Sequence, residues 1–450
     1  MYILPVGNYY KQILRIAWPA IAGLSTQILV SLVDAAMVGR LPQPEYTLAA
    51  MGIGVMATWA IVSFFSSLAT GTHVLIARRH GEKDPQAMNN VLMNSIITGV
   101  ISGTILTLFI MVFSENIGQF FAKDYIVGEY ASEFIFYRFL GLPFFLITVA
   151  FRGFYFGVGK TKIFMISAIL VNLLNIFFNY VFIFGNFGFP EMGVAGAGLG
   201  SSLATVCDAV FYLVVSFGTG LRKKYHLTFH FRPDRETLRL LISLSLPVSL
   251  QNMFILLGFL IFISITGLIG TVEQAATQAV ISALFLSFMP CYGFGIAVQT
   301  LVGNNTGLGK NDLARLYGFE AAKIATYYTL SLSVIFYFFP EYILLIITED
   351  AEIIRTAIPA MQIAGFAQIF YATGLVLANG LQAIGRSSYV MYSEAFSNLL
   401  IFVPFAYYLG IASGYGLAGA WLGLPLYIIS YSLMIYYKFR SENWSLIRKF

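Results

Sequence analysis

Apolar residues run in stretches of roughly 20 to 30 positions along the whole chain, separated by short clusters of charged, Gly and Pro residues. About 20 helical residues cross a hydrocarbon core of about 30 Å, so each stretch is long enough to span a bilayer. A membrane barrel would instead alternate apolar and polar residues over about 10 positions, and that pattern is absent. The runs predict twelve helices, over residues 13–38, 48–72, 88–113, 131–155, 163–184, 194–217, 238–268, 276–302, 314–339, 357–380, 389–411 and 416–438.

The charges between these segments follow a rule. Arg78, Arg79 and Lys83 leave the second segment, Lys160 and Lys162 the fourth, and Arg222, Lys223, Lys224, Arg232 and Arg235 the sixth. Lys310 and Arg315 leave the eighth, and Arg386 the tenth. The odd-numbered exits carry acids: Glu115, Asp124 and Glu129 after the third, and Glu341, Glu349, Asp350 and Glu352 after the ninth. Basic residues accumulate on the cytoplasmic side, so both termini are expected there, with Lys438, Arg440, Arg448 and Lys449 in the tail.

The longest interruption, from Gly218 to Glu236, splits the twelve segments into two sets of six. The predicted organisation is a lobe over 1–217, a cytoplasmic linker over 218–236, and a second lobe with a tail over 237–450. The halves repeat. Pro19 in IAWPAIAGL and Pro247 in LSLPVSLQN lie 228 residues apart, and ATGTHVLIARRHGEKD from Ala69 matches AVQTLVGNNTGLGKND from Ala297 at the same offset. GVGKTK from Gly157 recurs as AIGRSS from Ala383, and GVAGAGLG from Gly193 as GLAGAWLG from Gly416. A parallel repeat of six helices predicts two lobes related by an axis along the membrane normal, an arrangement used for alternating access.

Composition agrees: 58% of the 450 residues are hydrophobic, only 10% are charged, and the mean hydropathy is +0.79. The net charge of +5 is accounted for by the basic loops, with no nucleic-acid partner implied. Cys207 and Cys291 sit in apolar runs as small hydrophobes and imply neither a disulfide framework nor a metal centre. The opening MYILPVGNYYKQ has no basic stretch, short apolar core and cleavage motif in sequence, so the first segment is expected to stay in the membrane.

Polar residues inside the apolar runs carry the candidate chemistry. Asp34 lies within QILVSLVDAAMVGR, and a mid-membrane carboxylate costs about 2.5 to 3.5 kcal/mol on insertion scales unless it faces protein or water. Gly23, Gln27, Ser31 and Asp34 align along one helical face, opposite Leu29, Leu32 and Val33. The fifth segment has its own stripe of Asn172, Asn175 and Asn179, and the sixth adds Ser201, Thr205 and Asp208. Carboxylate, amide and hydroxyl oxygens converging from three helices describe a site for H+ or Na+, with Asp34, Asn175 and Asn179 as ligands if the ion is a metal. Asp208 is the second acid of this lobe and is assigned either to that network or to the substrate cavity.

The second lobe differs. The repeat places Phe262 opposite Asp34, so the acid has no copy there. Its polar residues include Gln251, Asn252, Gln278, Gln299, Glu320, Lys323 and Glu394. Glu320 and Lys323, three apart, are expected to pair near a helix end, and Glu394 either to line the cavity or, in preference, to lie towards the interface. Arg138 and Arg152 are expected to reach the headgroups. Tyr137, Phe154, Phe259 and Tyr371 are candidates to line a cavity for flat organic cations through cation–π contact. His73, His80, His226 and His230 fall at the cytoplasmic edge without a ligand grouping, and GVGKTK lacks the full phosphate-loop pattern, so no enzyme or ATP site is predicted.

Taken together, WPAI at Trp18, VDAAMVGR at Val33, LNIFFNYVFIFG at Leu174, GVAGAGLGSS at Gly193, LP at Leu246 and GLAGAWLG at Gly416 resemble the multidrug and toxic compound extrusion (MATE) family over nearly the whole chain. The resemblance implies an all-α membrane protein of twelve helices in two six-helix lobes. It further implies export of organic cations and amphipathic compounds in exchange for H+ or Na+, without an organic cofactor. The family's ion site maps onto Asp34, Gln27, Asn175, Asn179 and Ser201, with an amide at 179 where relatives often have an aspartate. Two acids that many relatives carry in the second lobe fall at Ile255 and near Tyr371, which makes the chain similar to DinF-type members that couple through the first lobe alone. A monomer in the cell membrane is expected. Two other readings are a lipid-linked oligosaccharide flippase of the same superfamily, disfavoured by twelve helices and few intramembrane cations, and a membrane-embedded enzyme, disfavoured by the missing catalytic cluster.

Overall fold

The computed structural model describes residues 7–229 and 233–446; His230, Arg232, Arg448, Lys449 and the first six residues of the opening stretch lie outside them. Its elements are helices α1 (Tyr9–Val38), α2 (Pro44–Gly81), α3 (Pro85–Phe121), α4 (Tyr125–Phe139), α5 (Leu142–Gly157), α6 (Thr161–Phe184) and α7 (Gly193–Phe217), then the short α8 (Leu221–Lys224). There follow α9 (Arg235–Ile269), α10 (Thr271–Gly307), α11 (Asn311–Phe338), the short α12 (Pro340–Leu345), α13 (Ala351–Ala383), α14 (Ser387–Ala395), α15 (Val403–Tyr407) and α16 (Gly416–Ser441). The π-helical turn Phe396–Phe402 joins α14 to α15, and a second, Tyr408–Ala412, continues α15, so that Ser387–Ala412 is one span. No strand occurs among the described residues.

Ten of these spans are long and apolar enough to cross a membrane, and α4 with α5 makes an eleventh, broken span. The predicted fourth segment is therefore two helices, bent by 49° around Leu140 and Gly141. Pro143 removes a backbone donor just beyond the break. The carbonyls freed there are taken up by neighbours: Ser202 Oγ donates towards Tyr137 O at 2.6 Å and Arg138 O at 2.8 Å, and Thr107 Oγ1 donates to Phe139 O at 2.9 Å. Helix α11 has the length, 28 residues, but its Lys323 and its Tyr, Thr and Ser content lower its hydropathy. Glu320 and Lys323 do pair, at 2.6 Å, yet Glu320 is buried rather than at a snorkelling surface.

Helix ends are set by local chemistry. Asp84 accepts from Ala87 N at 2.9 Å, Asp124 from Ile126 N at 2.8 Å, and Asp350 from Glu352 N and Ile353 N, each side chain satisfying N–H groups that a first turn leaves free. Four helices, α2, α5, α10 and α13, end in the same turn. A left-handed residue, Lys83, Gly159, Gly309 or Gly385, donates its N–H to the carbonyl three residues back, and the next residue donates to the one five back. The corresponding turns are 226 residues apart in both pairs, so the match from Ala69 to Ala297 holds at 226 rather than at the 228 that relates the prolines.

The chain forms two compact units, Ala22–Leu246 and Met1–Ile21 with Pro247–Phe450. Their boundaries fall within α1 and α9, beside Pro19 and Pro247, and not in the predicted linker. The amino-terminal unit owns the linker: Thr228 N donates to Asn89 Oδ1 at 2.9 Å, Asn90 Nδ2 to Asp234 Oδ2 at 3.1 Å, and Tyr225 and Leu227 are buried. Thr237 Oγ1, donating at 2.5 Å to Asp234, holds that carboxyl below its usual range. His73, expected at an edge, is buried in α2 with its ring edge-on to Phe156. In the carboxy-terminal unit the packing is made by small residues, among them Ala297, Ala321, Ala364 and Ala372, all fully buried, with Ile13, Ile16 and Ala17 of α1 in the same core. Small side chains let helix backbones approach where lipid offers no hydrophobic drive to associate.

Candidate cation-coupling site

Within the amino-terminal unit, α1, α6 and α7 meet where the polar stripes predicted. Close approach of α1 to α6 is permitted by Gly23, since a Cβ there would lie 2.6 Å from the Phe164 ring. One turn on, Asn172 Nδ2 donates to Thr26 Oγ1 at 2.7 Å, a grip in which Thr26 was not foreseen. Two turns further, Asn179 Nδ2 donates to Asp34 Oδ1 at 2.8 Å and to Asn175 Oδ1 at 3.2 Å. Asn175 Nδ2 in turn donates to Ser201 Oγ of α7 at 2.9 Å. Asp34, Asn179, Asn175 and Ser201 thus form one continuous chain of hydrogen bonds across three helices.

Burial grades along that chain. Asn179 is fully buried and Asn175 nearly so, while Asp34 and Ser201 are half-buried. Helix α7 can come this near because position 200 is glycine; a Cβ there would sit 2.3 Å from Asn179 Oδ1. That amide oxygen is buried without a hydrogen-bond partner. Asp34 also faces an arginine. The Arg138 guanidinium, carried on the last turn of α4 before the break, is within electrostatic range of the carboxylate without forming a close ion pair. It does not reach for the headgroups, as its position suggested. The nearby GLP at residues 141–143 is the signal that the helix ends and re-aims its last side chains.

Several predicted residues fall elsewhere. Gln27 is exposed and contributes only its backbone carbonyl, to Ser31 Oγ at 3.0 Å, because the helix carries it away from α6. Asp208 belongs to a second network: it is buried, accepts from Ser167 Oγ at 2.5 Å, and has Arg152 and Tyr212 as electrostatic neighbours. Arg152 therefore also turns inward, its guanidinium 5.9 Å from the Phe164 ring centre. Phe154 is fully buried between Tyr155 and Tyr225 and lines no cavity. Tyr137 is half-buried at the edge of a hollow of about 350 Å³ shared with Glu115, Glu129 and Glu133. In the other unit, Phe259 packs against Phe402 at 5.7 Å and Tyr371 stacks on Phe288 at 4.4 Å, both half-buried. Glu394, expected near the interface, is 1% exposed.

No group of three or more His, Cys, Asp or Glu suited to a metal ion occurs among the described residues. Against known proteins, the MatE family profile matches twice in tandem, over residues 19–181 and 247–408, each match opening on one of the two repeat prolines. The chain belongs to the MatE family. Members of this multidrug and toxic compound extrusion family are membrane transporters, and this MatE chain is a multi-pass membrane protein. It is 27% identical over 440 residues to a probable multidrug resistance protein NorM of Thermotoga maritima, covering 98% of this chain and 94% of that one. An uncharacterized transporter YisQ of Bacillus subtilis is 26% identical over 437 residues, covering 95% and 94%. The fold superposes with a TM-score of 0.90 on the outward-facing structure of a multidrug resistance MATE family transporter, at 23% identity and 99% and 98% coverage.

Proposed function

We propose that this MatE protein is an antiporter that exports organic cations or amphipathic compounds from the cell in exchange for H+ or Na+ bound at Asp34. It works in the cell membrane as a monomer, with both termini in the cytoplasm. The observation that carries this reading is the hydrogen-bonded chain from Asp34 through Asn179 and Asn175 to Ser201, because it couples the charge state of one half-buried acid to the packing of three helices. When a cation neutralises Asp34, the pull on Asn179 weakens and Arg138 loses its electrostatic partner. The amide chain is then free to re-pair, which shifts α1 relative to α6. When the cation leaves, the carboxylate is again available to attract a cationic substrate.

The amide orientation favours H+. Asn179 presents its Nδ2 donor to Asp34 and turns its Oδ1 away towards Gly200, whereas a Na+ shell would need that oxygen turned inward. Proteoliposomes loaded with an organic cation such as tetraphenylphosphonium, under separately imposed pH and Na+ gradients, test the assignment. Export driven by the pH gradient alone, and lost in D34N, is the expected result; export driven by Na+ alone would transfer the ion assignment to Na+, and unimpaired export by D34N would remove Asp34 from the mechanism.

A further inference from the structure

The carboxy-terminal unit contains an acid that the mechanism above does not use. Glu394 ends α14, directly before the π-helical turn Phe396–Phe402. It is 1% exposed and has no basic partner among the described residues. The Tyr427 hydroxyl donates to its Oε1, and the amides of Gln251 and Asn398 lie alongside. The titratable groups around it are tyrosines, Tyr427 and Tyr431 from α16 and Tyr292 from α10, with Tyr371 of α13 hydrogen-bonded to Tyr292, while α9 and α13 also bring the uncharged amides of Gln251 and Gln382. A lone carboxylate buried in this way is costly, so the site must be neutralised for much of the time.

What neutralises it can be read from the oxygens that are free. Gln251 Oε1 already accepts from Gln382 Nε2 at 3.2 Å, and Gln382 Oε1 from Gln299 Nε2 at 3.4 Å. Gln251 Nε2 reaches the Tyr431 hydroxyl at 3.4 Å. Asn398 is different: it is fully buried, and neither its Oδ1 nor its Nδ2 makes a well-formed hydrogen bond. It projects into the notch left by Gly258 of α9, where a Cβ would meet its Oδ1 at 1.6 Å. The π-turn, which carries an extra residue per turn, holds it there, and such turns recur at functional sites. A metal ion asks for about six oxygen ligands, which this cluster does not have free. A proton asks only for the carboxylate oxygen that it binds, and Glu394 supplies that itself with Tyr427 on its Oε1.

We propose that Glu394 is a second proton-binding centre of the transporter, in the carboxy-terminal unit, which loads and releases H+ as the protein cycles. The inference rests on the chain being a secondary transporter and is independent of Asp34. Labelling of the full-length protein in detergent with dicyclohexylcarbodiimide, which modifies protonated carboxyls in apolar surroundings, tests it by peptide mass spectrometry. Label on the Glu394 peptide is expected to fall ~10-fold for each pH unit above its midpoint, to persist in D34N and to vanish in E394Q. Uptake of tetraphenylphosphonium driven by a pH gradient is expected to drop at least ~10-fold in E394Q, with tetraphenylphosphonium binding retained. No label anywhere between about pH 5 and about pH 9, or label that ignores pH, would overturn the proposal, and the wild-type protein alone decides that arm. E394Q transporting like the wild type would remove Glu394 from the cycle. Failure of D34N to affect export would count against the Asp34 reading and leave the Glu394 labelling as it stands.

Discussion

Asp34 and Phe262 occupy equivalent places, 228 residues apart, in the first helix of each repeat, and their surroundings are opposites. Asp34 is half-buried, takes one amide donor from Asn179, and looks towards an arginine. Phe262 is fully buried in an aromatic box, 4.8 Å from Phe402 and 5.2 Å from Trp421 between ring centres. The same helical plan thus supports a polar station in one unit and a dry contact in the other. The difference lies in the neighbours more than in the position: the amino-terminal unit brings asparagines from α6 to that depth, and the carboxy-terminal unit brings rings. Where the second unit keeps an acid, at Glu394, it has also moved the amides that accompany it, to Gln251 and Asn398.

The largest effect is expected from forcing the acid into the wrong box. F262D removes an aromatic contact and buries an unpaired charge among Phe402 and Trp421, and should destabilise the protein by about 3 to 5 kcal/mol, read as a fall in thermal unfolding temperature in detergent. The reverse manipulation, D34N, keeps the shape and an amide-bonding group, so stability should change little. Gradient-driven export should nevertheless fall roughly 100-fold, in the range of strong coupling energies, in a proteoliposome flux assay. G200A sharpens the comparison without touching a polar group: its methyl group would meet Asn179 Oδ1, and a cost of about 1 to 3 kcal/mol with impaired coupling is expected from melting and flux together. The smallest effect concerns the shared turns. Lys83 adopts φ 58° where its counterpart is Gly309, so K83G, which relieves the left-handed strain, should stabilise the fold by about 0.5 to 1 kcal/mol, measured by thermal unfolding.

Most of the helical layout was legible because hydropathy and loop charge are strong signals when every span must satisfy its own backbone. The exceptions have local causes. The fourth segment reads as one apolar run, and only Gly141 and Pro143 hint at the break that Ser202 and Thr107 stabilise. The chain of Asp34, Asn179, Asn175 and Ser201 was legible because helical spacing puts each stripe on one face. Gln27 shares that face of α1 but not its contact, since the polar stripe is wider than the strip that α6 covers. Arg138 and Arg152 were placed too near the surface, and Glu394 was left between cavity and interface, because position along a helix does not reveal which of its faces the neighbouring helices cover. Phe154 shows the limit for aromatics: a ring in a membrane helix carries no mark that separates cavity wall from core.

The unit boundaries inside α1 and α9 bear on how the chain can be made. During synthesis the first helix emerges with its leading turns, including Ile13, Ile16 and Ala17, already assigned to a core whose other members are translated hundreds of residues later. The amino-terminal unit likewise remains unfinished until Leu241 and Leu244 have passed the long interruption, because both belong to its interior. A gene divided at residues 218–236 would therefore not yield two independent domains: each product would lack a strip of its own core and keep a strip belonging to the other, so the halves should fold only when co-expressed.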